Sequence, residues 1–143
     1  MDLPAHDADR LAAAARSLGL ELVVLFGSYA TGSPPPHAES DVDLALLPAQ
    51  SGPAPSLLDA YEAMDGVFGG ARPDPVLLHR ADPLFRHEIM RRGVLLYGDV
   101  DRFLEYRAFA FRAYVDASDL LALERLLFER KMARIEEALG VAP

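Results

Sequence analysis

A chain of 143 residues, half of them apolar, has material for one compact domain with a real core, and with no cysteine it has neither a disulfide framework nor a cysteine-built zinc site. Its net charge of −8, from 22 acids against 14 bases, argues against direct binding of nucleic acid, which needs clustered Lys and Arg, and suits a partner with a basic surface. It has no run of about 18 apolar residues to span a membrane, and the start Met1-Asp2-Leu3-Pro4-Ala5-His6-Asp7 has no basic and apolar stretch to act as a signal peptide, so the expected location is a reducing cytoplasm.

Ala8 to Leu18 reads as a helix, capped by Asp7 and ended by Gly19. Glu21 to Phe26 is short, branched and apolar, which predicts a buried strand. Gly27-Ser28 breaks that strand and opens a short helical turn. Gly32 to Ser40, with the run Pro34-Pro35-Pro36, is a loop. Asp41 to Leu47 is a second strand, and Pro48 to Pro55 a second loop. Ser56 caps a helix that runs to about Phe68 and stops at Gly69-Gly70. Pro75 to His79 is a third strand. Asp82-Pro83 is a cap followed by proline at the first helical position, and this helix ends at Gly93. Val94 to Tyr97 is a fourth strand. Asp101 to Leu139 is nearly all helix, with a break expected near Asp116-Ala117-Ser118. The order predicts an α/β (α+β) fold. Residues 1–98 form a core whose small mixed sheet is flanked by helices, and 99–143 form a C-terminal helical tail. The tail carries two apolar stripes, Leu121, Phe128, Met132, Ile135, Leu139 and Leu120, Leu123, Leu127. A helix packed only on its own domain needs one, so the second suggests a partner.

Asp41 and Asp43 lie two apart on a strand, so both carboxylates point to one side. Two like charges that close are tolerable if a divalent cation sits between them, and oxygen-only ligands suit Mg²⁺ or Mn²⁺. Gly27 lets a phosphate approach the backbone, and Ser28 adds a hydroxyl donor. A phosphate cradle beside a metal clamp is the equipment for nucleotidyl transfer. Asp74, at the head of the third strand, is the best placed third carboxylate and a candidate general base. Alone, an Asp-x-Asp on a strand is more often a solvated strand end; its occurrence after a strand and Gly-Ser carries the inference. Arg80, Arg86, Arg91 and Arg92 lie on or near one helix. They either reach a triphosphate or form a solvated face, and no Lys or Arg occurs between Arg16 and Arg72 to do so instead. His6, His37, His79 and His87 have no metal-ligand spacing. Tyr29 either stacks on a base or packs.

The stretch Leu25-Phe26-Gly27-Ser28-Tyr29-Ala30-Thr31-Gly32 … Glu39-Ser40-Asp41-Val42-Asp43-Leu44 resembles the minimal nucleotidyltransferases of the DNA polymerase beta superfamily. Similarity continues through Asp74-Pro75-Val76-Leu77-Leu78, Asp82-Pro83-Leu84-Phe85-Arg86-His87-Glu88 and Gly93-Val94-Leu95-Leu96-Tyr97 to Arg112-Ala113-Tyr114-Val115-Asp116. Together these resemble the MntA-type antitoxins, partners of HEPN-domain ribonuclease toxins (HepT). The resemblance implies transfer of AMP from ATP to a tyrosine of the toxin, which neutralises it, by a two-metal mechanism. It implies Gly27 and Ser28 on phosphate, and Asp41, Asp43 and Asp74 on two Mg²⁺ ions. Twelve residues separate Ser28 from Asp41 where the family usually has ten, Leu77 stands where a second acid is usual, and Pro75 is unusual in that strand. Two other functions are compatible with the residues: transfer to a small molecule such as an aminoglycoside, or an inactive module that neutralises a toxin by contact.

Overall fold

In a computed structural model of the chain, residues 5–33, 35–37 and 39–140 are described; Met1–Pro4, Pro34 of the proline loop, Ala38 and residues 141–143 lie outside them. Asp7 caps α1 (Ala8–Ser17) by accepting from the N–H groups of Asp9 and Arg10. β1 (Leu20–Phe26) leads into the short α2 (Ser28–Thr31), then β2 (Val42–Pro48) and α3 (Leu57–Met64). α3 starts at its Ser56 cap but ends before Phe68, because Asp65 is already extended and Gly66 takes a positive φ. β3 (Pro73–Leu77) begins two residues earlier than the sequence suggests and passes into a 3₁₀ turn, Leu78–Arg80. α4 (Pro83–Arg92), capped by Asp82, β4 (Val94–Tyr97) and α5 (Val100–Ala138) complete the chain.

The sheet order is β3-β2-β1-β4. β1 pairs antiparallel with β2 and β4, and β2 pairs parallel with β3, giving the small mixed sheet expected. β3 is an edge strand. Pro73 and Pro75, two apart, put both missing N–H groups on one side, and on the free edge they cost no ladder bond. The strand side chains alternate between two cores. Val23, Leu25, Leu44 and Leu46 pack with Leu11 of α1 and Met64 of α3. Leu22, Val24, Ala45 and Leu47 pack with Ile89 and Met90 of α4 and Phe103, Tyr106 and Ala110 of α5.

α5 is one unbroken helix of 39 residues, about 58 Å long, where a break was expected at Asp116–Ser118. That segment holds no Gly or Pro, and Asp and Ser within a helix cost only a few tenths of a kcal/mol each, roughly, against alanine. Its first three turns close the second core. From Asp119 to Gly140 every residue is exposed.

Candidate active site

The site forms where the strands end. Phe26, the last residue of β1, stands opposite Asp43 of β2, and Asp43 stands in register with Asp74 of β3. Directly paired residues share a face of the sheet, so the two carboxylates project together, on the side that carries Ala45 and Leu47 into the α4/α5 core. Asp41 lies exposed just before β2, near enough for its charge to act on Asp43. Partial burial, then the charges of Asp74 and Asp41, push the Asp43 carboxyl from its ordinary 3.8 up to about 6, and hydrogen bonding with the Asp74 carboxyl adds to the shift. All three residues singled out as acids in the sequence thus stand at one sheet end.

Three converging carboxylates, one of them reluctant to ionise, form a cluster short of positive charge. Their oxygen-only donor set fits a hard divalent cation. Among the described residues no group of three or more His, Asp or Glu side chains is placed close enough to hold a metal ion as it stands, so the pair Asp43 and Asp74, with Asp41 nearby, is the nearest approach to such a set.

Gly27 makes the cluster sterically possible. Its φ of 75° and ψ of −154° lie in a region open essentially to glycine alone. A Cβ there would overlap the Asp43 carboxylate and stand 2.9 Å from its Cγ. Thr31 locks the turn that follows, its hydroxyl donating to the carbonyl of Gly27 at 3.2 Å. Gly27→Ala is therefore expected to lower stability by about 1–3 kcal/mol and to displace Asp43. Denaturant unfolding checks the first; a Tm equal to that of the wild type would show that the turn relaxes without strain.

The four arginines separate. Arg86 donates to the carbonyls of Leu78, His79 and Ala81 at 3.1, 3.1 and 2.9 Å, and so fixes the 3₁₀ turn. Arg91 pairs with Glu88 at 2.9 Å. Arg80 lines a separate hollow with Leu57 and Asp82. Arg92 alone of the four lines a groove of about 350 Å³ that also contains Gly27 and Ser28. Tyr29 packs against the first core. His6 lies against Phe68, and His87 stacks on Tyr114 at 4.7 Å, both in aromatic contacts. His79 lies at the surface, its pKa lowered by partial desolvation and then by the nearby Arg80 and Arg86.

Sequence reasoning missed Phe85, a half-exposed ring edge-on to Phe26 at 5.8 Å that lines the same groove. It lies seven residues before Arg92, on the same face of α4, and that spacing was the available signal. A larger cleft, about 530 Å³, lies at the opposite end of β2 between Leu47–Gln50 and α5. None of the three acids lines either hollow, but the smaller groove contains Gly27, whose backbone abuts the Asp43 carboxylate, so it is the one that adjoins the acids.

A family model described as polymerase beta, nucleotidyltransferase matches residues 12–102. No curated protein sequence matches the chain significantly. Among solved structures, a toxin–antitoxin complex with AMP-PNP is similar over 88% of this chain and 98% of its own, with a TM-score of 0.65 at 21% identity. A complex of a tri-AMPylated Shewanella oneidensis HEPN toxin with an MNT antitoxin is similar over 87% of this chain and 95% of its own, with a TM-score of 0.59 at 19% identity. An MntA–HepT toxin–antitoxin is similar over 87% and 96%, with a TM-score of 0.58 at 18% identity. At these identities the likeness to solved structures shows the fold.

Proposed function

Because the chain belongs to the polymerase beta nucleotidyltransferase family, we propose that it is an antitoxin that transfers AMP from ATP to a tyrosine of a HEPN-type ribonuclease toxin and so neutralises it. The observation that carries the reading is the register Asp43↔Asp74 beside a glycine that has room for nothing larger. It also favours an active enzyme over an inactive binding module, since a contact-only inhibitor has no use for carboxylates that repel one another. The neighbouring complexes with an ATP analogue and with an AMPylated HEPN toxin support the choice of nucleotide and acceptor.

Asp41, Asp43 and Asp74 are the residues that would hold two Mg²⁺ ions, which when bound stabilise the charge developing on the attacking and leaving oxygens. Gly27 and Ser28 orient the triphosphate through the open backbone and the hydroxyl. Asp74, exposed on the edge strand, faces the incoming acceptor and takes the phenolic proton. The tyrosine oxygen bonds to the α-phosphorus, the bond from that phosphorus to the bridging oxygen breaks, and pyrophosphate leaves with the electron pair.

Incubation with α-labelled ATP, magnesium and the purified toxin is expected to label the toxin on tyrosine, with no label from γ-labelled ATP. Absence of transfer from both would overturn the reading. Asp74→Ala is expected to slow transfer about a hundredfold, the usual contribution of a positioned base. An unchanged single-turnover rate would show that Asp74 only ends a loop and would direct attention to Asp65 at the end of α3 or Asp82 at the head of α4.

A further inference from the structure

The acids account for one end of a bound triphosphate; the other end needs its own positive charge. Across the sheet end, Asp74, Asp43 and Phe26 stand side by side on β3, β2 and β1. Gly27 follows Phe26. On its far side α4 finishes at Arg92, and the chain turns into Val94, which pairs with Leu25. The groove between α2 and α4 thus runs from beside the carboxylates to a guanidinium.

That guanidinium is available. Arg92 is exposed and makes no side-chain hydrogen bond or ion pair among the described residues. Its neighbours are committed elsewhere, Arg86 to three backbone carbonyls and Arg91 to Glu88. Glu88 lines the groove too, and would repel an anion if its charge stood alone; the Arg91 partner at 2.9 Å offsets it and leaves Arg92 unengaged. No basic residue lies on α2 or in the loop after it, since none occurs between Arg16 and Arg72. The polar lining beside Arg92 includes Ser28 and Ser33, small donors suited to phosphate oxygens, while the Thr31 hydroxyl is engaged by the carbonyls of Gly27 and Ser33.

We propose that Arg92 binds the β- and γ-phosphates of the nucleotide and makes the site selective for nucleoside triphosphates. The proposal rests on the nucleotidyltransferase reading above. A planar guanidinium donates two parallel hydrogen bonds to phosphate oxygens and stays charged at any working pH. It faces the group that leaves as pyrophosphate, so its contribution grows as negative charge develops there during transfer. Arg92 then acts on both nucleotide affinity and rate.

The test is calorimetric titration of the full chain, in magnesium, with ATP and separately with AMP. The wild type is expected to bind ATP more tightly than AMP. Arg92→Gln should weaken ATP binding about ten- to a hundredfold and change AMP binding by less than about twofold, the loss of one charged hydrogen-bonding partner. Arg92→Lys should recover most of the ATP affinity while transferring AMP more slowly than the wild type. Unchanged ATP binding in Arg92→Gln overturns the proposal. So does an equal proportional loss for ATP and AMP, which marks Arg92 as a support of the fold. A wild type that binds neither nucleotide overturns the nucleotidyltransferase reading itself, and this proposal with it.

Discussion

Asp43→Asn is expected to abolish AMP transfer, a loss of about a thousandfold or more, while the metal-free protein becomes more stable at neutral pH. Both effects have one origin. Asp43 is the least exposed of the three acids, and it sits between Asp74 on the neighbouring strand and Asp41 two residues before it. Its pKa is about 6 in the folded chain against an ordinary 3.8. The folded state therefore holds the proton more tightly than the unfolded one, so the carboxyl favours folding most below about pH 4. That contribution is lost as pH rises through about 6, when the carboxylate ionises against its neighbours. Asparagine keeps the shape and cannot ionise. The Tm difference between Asp43→Asn and wild type should accordingly be small at pH 4 and widen toward pH 7. Magnesium should narrow it by stabilising the wild type alone. Full activity of the variant in magnesium would overturn the two-metal reading, and a Tm difference independent of pH would show that Asp43 is not under charge strain. Asp41→Asn, at an exposed position, should abolish transfer with less effect on stability.

Local chemistry was legible in the chain where it is local in cause. Asp82-Pro83 and Gly93 bound α4, and Val94–Tyr97 reads as a strand, because caps, proline and branched residues act within a few positions. The start of β3 was hidden, since Pro73 reads as a loop residue until β2 is known to lie on one side only. The glycine at position 27 was visible as an opening for phosphate, but the stronger demand on it comes from Asp43, sixteen positions away in sequence and opposite the preceding residue in space. Sorting four arginines required tertiary contacts: Arg86 is removed by carbonyls of the turn before α4, which no helical wheel reveals. The continuity of α5 was not legible for the converse reason. A mild local preference at Asp116–Ser118 is outweighed by a helix that propagates from both sides.

Truncation before Asp119 is expected to leave a folded chain that binds ATP and magnesium and has lost its toxin partner. The fold should survive because the removed helix closes no core: the last α5 residues in the second cluster are Phe103, Tyr106 and Ala110. What is removed is apolar surface that covers nothing, with Leu121 65%, Phe128 63% and Leu139 72% exposed. Both apolar stripes are open, all round the helix, a pattern that belongs to a buried helix. Each such side chain, once covered, stabilises an interface by about 1–2 kcal/mol. The partner that fits has a basic face as well. Residues 1–98 carry 13 acids and seven bases, a net of −6, and residues 99–143 carry nine and seven, a net of −2. A ribonuclease must present positive potential to RNA, so with the proposed partner the acidic core would steer it in while the helix would supply contact that salt does not weaken. Association rates should therefore fall with ionic strength, while dissociation of the full-length complex changes little. Light scattering and titration of the truncated chain against the toxin decide the matter. Retained toxin affinity would place recognition on the core. A full-length chain that forms a stable dimer through α5 and a truncated one that is a monomer with toxin affinity intact would assign the stripes to a second copy of the chain. Loss of folding on truncation would show that the exposed turns carry stability that the packing of α5 does not reveal.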